Sequence, residues 1–381
     1  MDTLAILERL IGFDTTSAKS NLTLIAFAED MLRSRGFSVH RLEDETGQKA
    51  GLYAQIGPAG DGILLSGHTD VVPALGQPWT RDPFRLISEG GRAYGRGTTD
   101  MKGFVASVLA LADRAANAAL TEPLKIVLSY DEEIGCVGIQ EMRDWLAPLI
   151  GTPRLCIVGE PTEMQIAIGH KGKAALKATC NGQSGHSALA PQFVNALHMA
   201  TDLVGALRDI QSDLKMTGAQ DAAYSVPFST VHIGKLTGGL ALNIVPDHAE
   251  LTFEYRNLAQ DDADEIFARI TRAAARIAAR YKKQWPGSMI EIDRYNTYPG
   301  LALSDSDPAI AFAQKLARTN STTKVAFGTE AGVFAELGVP TIVCGPGSMV
   351  DQGHKPDEFV THAALAACDA MLARALAEIS A

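Results

Sequence analysis

His68 and Asp70 close the run Ile63-Leu-Leu-Ser-Gly-His-Thr-Asp70. On an extended chain, residues two apart project the same way. Acidic residues recur at the ends of similar stretches. Asp100 ends Tyr94-Gly-Arg-Gly-Thr-Thr-Asp, Glu132 and Glu133 follow the apolar run 124–130, and Glu160 follows 155–158. His354 stands in Gly353-His-Lys-Pro, after the last expected strand. Imidazole and carboxylates without thiolates suit Zn2+, Co2+ or Mn2+ in a hydrolytic centre. Consecutive glutamates at a strand end point in different directions. One can bind metal while the other moves protons. Any one of these side chains alone reads as a helix cap or a solvated loop residue. Together they fall at one edge of a single expected sheet, outside the carboxyl ends of its strands, where open α/β sheets bind ligands.

The elements that must position them follow from apolar spacing. Short apolar runs at 63–67, 124–130, 155–158 and 340–343 have the character of buried parallel strands. Helical spacing at 2–11, 22–35, 104–116, 135–145, 307–319, 330–337 and 361–379 accompanies them. The Gly- and Pro-rich segment 71–100 is too long for an idle connection, which marks it as functional. From about residue 172 the texture changes. A strand at 173–180, a helix at 191–210, strands at 229–234 and 249–256, a helix at 262–281 and a strand at 289–295 give β-α-β-β-α-β, a ferredoxin-like order. The expected fold class is α/β. A discontinuous domain (1–171 and 295–381) carries a central, mostly parallel sheet, and 172–294 form an inserted ferredoxin-like α+β domain.

With 381 residues the chain exceeds what one core usually holds. A net charge of −10 argues against nucleic acid or anionic membrane as the main partner. Five cysteines with no C-x-x-C spacing point to reduced, buried thiols. No apolar run is long enough for a membrane span, and the first residues lack the pattern of a signal peptide, so a soluble cytoplasmic protein is expected. Gly95-x-Gly97 lacks the third glycine of a dinucleotide fingerprint, and Gly345-Pro-Gly347 lacks the lysine of a phosphate loop.

Four stretches carry a family resemblance. Ser66-Gly-His-Thr-Asp70, Gly95-Arg-Gly-Thr-Thr-Asp-Met-Lys-Gly103, Asp131-Glu-Glu-Ile-Gly135 and Gly159-Glu-Pro-Thr162 resemble the motifs of the M20 metallopeptidase and deacylase family, in order and spacing. The resemblance implies a metallopeptidase-type catalytic domain with two divalent ions, Zn2+ or Co2+. His68 and Glu160 would bind one ion, Glu133 and His354 the other, and Asp100 both. Asp70 would orient His68, and Glu132 would be the general base. It further implies a homodimer through the inserted lid domain, with His186 (in Gly185-His-Ser-Ala188) reaching the oxyanion from across the dimer. Asn243 and Arg256 match positions that bind the substrate carboxylate.

Phe327-Gly-Thr-Glu-Ala-Gly332, Gly345-Pro-Gly-Ser348 and Asp351-Gln-Gly-His-Lys-Pro-Asp-Glu358 are similar to the acetylornithine deacetylase subgroup. Succinyl-diaminopimelate desuccinylases usually carry a small hydroxyl residue where Glu330 stands. The implied substrate is a small N-acyl amino acid, N2-acetyl-L-ornithine; Glu330 is expected either to face its distal ammonium or to cap the helix that follows. Thr99 departs from the cysteine that many of these deacetylases place before the bridging aspartate.

Overall fold

Four strands with every residue buried lie side by side: Ile63–His68, Leu124–Ser129, Leu155–Pro161 and Thr341–Gly345. Their pairings are parallel, in the order Leu124–Ser129, Ile63–His68, Leu155–Pro161, Thr341–Gly345. Strands buried on both faces read as continuous apolar runs, which is why these were the clearest in the sequence. Antiparallel strands flank them. Ala50–Ile56 and Ser38–Glu43 extend one side. Ile166–His170 and Leu301–Ala302 extend the other. The computed structural model describes all 381 residues.

Helices supply the cover that a parallel sheet requires. Lys102–Ala115 packs against three of the four central strands, and its apolar side chains join the main core. Its approach is close. A Cβ on Gly159, in Leu155–Pro161, would sit 1.9 Å from the Phe104 ring. Only glycine lets the helix lie this near the strand that carries Glu160. Two strands of the long segment expected to be functional, Ile87–Glu89 and Arg92–Tyr94, form a small antiparallel sheet with Phe359–Thr361 from far along the chain. Its strands of three residues are too short to show a period in the sequence. Ile166–His170 is a further strand outside the expected set.

Contacts divide the chain into two units, 1–170 with 301–325 and 329–381, and 171–300 with 326–328. The second unit has a four-stranded antiparallel sheet in the order Thr230–Gly238, His248–Asn257, Gly172–Asn181, Met289–Tyr298. With helices Ala196–Thr217 and Ala263–Lys282 it follows the expected β-α-β-β-α-β order. The first helix starts later than the expected 191. Asn195 caps it by accepting the N–H groups of Leu197 and His198, and Pro191 falls in a preceding 3-10 turn, Ser187–Gln192. Asp262 caps Ala263–Lys282, with Asp264 and Glu265 in its first turn and Arg280 and Lys282 in its last, as the helix dipole favours. No helix is long and apolar enough to cross a membrane. All five cysteines are buried and free.

Candidate metal centre and active site

Each expected ligand in the first unit comes from the end of an element or the loop beyond it. His68 ends Ile63–His68, and Glu160 lies near the end of Leu155–Pro161. Asp100 precedes Lys102–Ala115, Glu133 follows Leu124–Ser129, and His354 lies between Thr341–Gly345 and Phe359–Thr361. Parallel pairing puts all the strand ends at one edge of the sheet.

Two groups of three result. In the first, His68 Nε2 lies 3.0 Å from Asp100 Oδ1 and 3.5 Å from Glu160 Oε1. In the second, His354 Nε2 lies 3.1 Å from Asp100 Oδ2 and 2.9 Å from Glu133 Oε2. Within each group the ligand atoms are within 4.8 Å of one another. Asp100 belongs to both and offers one oxygen to each. His68 Nδ1 meets the Asp70 carbonyl oxygen at 3.0 Å, which leaves Nε2 to face the carboxylates.

The residues present fit two divalent cations. The donors are imidazoles and carboxylates, and Glu133 Oε1 and Glu160 Oε1 are buried without a hydrogen-bond partner. Buried charges of one sign are costly unless something compensates them. Burial, reinforced by the Asp100 charge, pushes Glu133 up to about 7 and Glu160 well above the ordinary glutamate value. Burial opposes the charged form of both histidines, but their carboxylate neighbours outweigh it. His68 is held well above its usual value, and His354 is pushed up to about 10. A cation in each group would replace the shared protons.

Glu132 and Glu133 are oriented by one residue. Asp70 Oδ1 accepts the N–H of Glu132 at 3.0 Å, and Oδ2 accepts that of Glu133 at 3.2 Å. The Asp70 carboxylate is 3.5 Å from His68 Nδ1, further than its own backbone carbonyl. It therefore fixes the glutamate turn more directly than the imidazole. Ser17 donates to the same carboxylate at 2.7 Å. Burial raises the Glu132 carboxyl well above its ordinary value, against the opposing charge of His68 and with the repulsion of Glu133 and Asp100. Cys136 Sγ donates to Glu132 Oε1 at 3.3 Å. Neither Ser17 nor Cys136 was singled out from the sequence. The i+4 spacing of Cys136 from Glu132 was the one available signal.

Glu330 is tied to two neighbouring strands. It is fully buried, and its carboxylate accepts Ser129 Oγ and, at 3.4 Å, Ser66 Oγ. Those serines sit near the ends of the strands carrying His68 and Glu132. Burial pushes Glu330 up to about 7, although the Ser129 hydroxyl favours its charged form. Its side chain does not cap the helix that follows. Its carboxylate is thus engaged by two serine hydroxyls, a role the sequence did not indicate.

The remaining expected residues belong to the second unit. His186 is exposed, and its backbone pairs with Ile244. The Asn243 carbonyl accepts the Ser187 N–H at 3.0 Å, so His186 and Asn243 lie on adjoining backbone segments. Arg256, on His248–Asn257, donates through Nε to Glu254 at 2.9 Å.

Comparison with known proteins bears on the same residues. The model of peptidase family M20/M25/M40 matches residues 64–378. Acetylornithine deacetylase of Shigella sonnei is 34% identical over 343 residues, covering 90% of this chain and 87% of that one. An M20 family metallo-carboxypeptidase from Sulfolobus solfataricus superposes with a TM-score of 0.78 at 19% identity, covering 99% of both chains. A dinuclear metal-binding M20 peptidase from Bacillus subtilis superposes at 0.69 and 16% identity, over 99% of this chain and 97% of that one. At those identities the two structures share the fold.

Proposed function

The chain belongs to peptidase family M20/M25/M40, and from that membership we propose that it hydrolyses N2-acetyl-L-ornithine to L-ornithine and acetate. It is a metal amidohydrolase. The observation that carries the chemistry is the pair of ligand groups sharing Asp100, with Glu132 held beside them. The substrate reading rests on the Shigella sonnei relative and the C-terminal motifs.

His68, Glu160 and Asp100 would hold one ion, and Asp100, Glu133 and His354 the other; Zn2+ is the proposed metal and Co2+ the alternative. Bound there, divalent ions act as Lewis acids and bring the acidity of water toward neutrality. Glu132 takes the proton of the water that attacks the amide carbonyl and returns it to the leaving amine. Asn243 and Arg256 bind the substrate carboxylate. His186 of the partner subunit donates to the developing oxyanion.

The dimer reading has support on the second unit. Thr230–Gly238 is an edge strand of its sheet. Leu236, Leu240, Leu242 and Ile244 are exposed along or just beyond it, close in sequence to the segment paired with His186. Edge strands with apolar neighbours are suited to pairing with a second copy.

A hydrolysis screen tests the reaction. Metal-loaded protein is offered N-acetylornithine, other N-acetyl amino acids and N-succinyl-diaminopimelate. Preference for N-acetylornithine, abolished by EDTA and restored by Zn2+ or Co2+, is the expected result. Preference for the succinyl substrate would make the protein a desuccinylase, and inactivity on every substrate offered would overturn the acyl amino acid reading.

A further inference from the structure

Glu358 has no place in the groups above, yet both of its carboxylate oxygens are committed next to them. Oε1 accepts the N–H groups of Thr99 at 2.9 Å and Asp100 at 3.1 Å. Oε2 accepts Arg96 Nη1 at 2.6 Å, and both side chains of that pair are 1% exposed. Arg96 Nη2 donates to Gln77 Oε1, and Gln77 Nε2 donates to the His354 carbonyl at 3.2 Å. Thr99 Oγ1 donates to the Phe359 carbonyl at 2.6 Å. The small sheet makes this possible. Phe359 pairs with Tyr94, which brings the segment after His354 alongside the segment before Asp100.

We propose that Glu358, with Arg96 and Gln77, is a positioning device that sets the spacing of the two metal-ligand groups by tying the His354 loop to the backbone of Asp100. The inference rests on reading those groups as a metal centre. Hydrogen bonds run from the Asp100 amide through Glu358, Arg96 and Gln77 to the His354 carbonyl. A buried ion pair is weak evidence for stability, because desolvation offsets its attraction. An apolar pair of the same volume would fill the space but could not accept two adjacent backbone N–H groups. What the carboxylate adds is the orientation of Asp100, whose two oxygens face different groups.

The two groups depend on this unequally. His68 and Glu160 belong to buried strands and are held by the sheet. His354 lies on a loop with a left-handed backbone, φ 59°, and its side chain is 43% exposed. Loss of the tie therefore falls on the Asp100, Glu133 and His354 group.

Zn2+ titration of metal-stripped protein, with a competing chelator, tests this on wild type, Glu358→Gln and Gln77→Ala. Wild type is expected to bind two ions. Each variant is expected to bind the first within about threefold of wild type and the second about 10–100-fold more weakly, the usual cost of removing a group that orients a ligand. The double variant Arg96→Met/Glu358→Met separates orientation from packing. It fills the volume and removes the unpaired charge, so its metal-free thermal midpoint should exceed that of Glu358→Gln, while the second affinity stays as weak. If Glu358→Gln does not fold, Gln77→Ala, at a partly exposed position, carries the same expectation. Wild-type affinity for both ions in a folded variant overturns the proposal and leaves the network a brace of the fold. A wild type that binds fewer than two ions instead overturns the metal reading beneath it.

Discussion

Glu132 and Glu133 are neighbours with different assigned work, and Asp70 fixes both through their backbone N–H groups. Glu132→Gln should keep two ions and the fold but lose about 10²–10⁴-fold in kcat, because an amide cannot carry the proton. Activity within a few-fold of wild type would remove Glu132 from the base role. For Glu330 the serine contacts predict a different pattern from substrate recognition. Glu330→Gln should lower kcat/KM on N-acetylornithine and N-acetylmethionine by similar factors. A loss confined to N-acetylornithine would return the residue to the substrate pocket. The crowded carboxylates also predict a pH dependence. Burial pushes Glu133 and Glu330 up to about 7, and their carboxylate neighbours hold His354 up at about 10 against burial. Raised values mean that the metal-free folded state binds these protons more tightly than the unfolded chain does. The stability they contribute is lost as pH rises, from 4.5 to about 7 for the glutamates and from 6.5 to about 10 for His354. Cations bind the deprotonated ligands Glu133 and His354, so they compensate for these two, though not for Glu330. The thermal midpoint of stripped protein should fall between about pH 5 and 8, and its gap to Zn2+-loaded protein should widen. A gap independent of pH would show that Glu133 and His354 do not exchange protons for metal.

At the scale of elements, the ligands are set by how closely helix and strand approach. Gly159 sits one residue before Glu160, under the Phe104 ring of Lys102–Ala115. Gly159→Val should cost about 1–3 kcal/mol or more through overpacking, read by urea denaturation. It should also lower metal content, since the strand cannot shift without moving Glu160. Normal metal content at reduced stability would mean that helix and strand adjust without disturbing the ligand.

For the whole molecule, the proposal that two chains share each active site makes a prediction about mixtures. Glu132→Gln and His186→Ala should each be nearly inactive as homodimers. After subunit exchange, the mixed dimer holds one intact composite site and should regain up to about half of wild-type activity per mixed dimer, as C2 symmetry dictates. No recovery in mixtures with demonstrated exchange would place His186 in its own chain's chemistry or outside the reaction.

Much of this was legible because the signals were local. The buried parallel strands announced themselves as apolar runs, and a ligand type at each strand end follows from sequence order alone. The β-α-β-β-α-β succession of the second unit was equally readable, since each element has its own period. Contacts between distant segments were not readable. Nothing near Glu330 in sequence indicates that Ser66 and Ser129 take up its carboxylate, because those serines meet it only once their strands are paired. The pairing of Phe359 with Tyr94 involves strands too short to carry a pattern, so the tie from Glu358 to the Asp100 backbone could not be foreseen. Sequence determined which chemical groups are available and which elements carry them. Tertiary structure decided which oxygen faces which nitrogen, because those distances depend on strand pairing and helix approach between segments far apart along the chain.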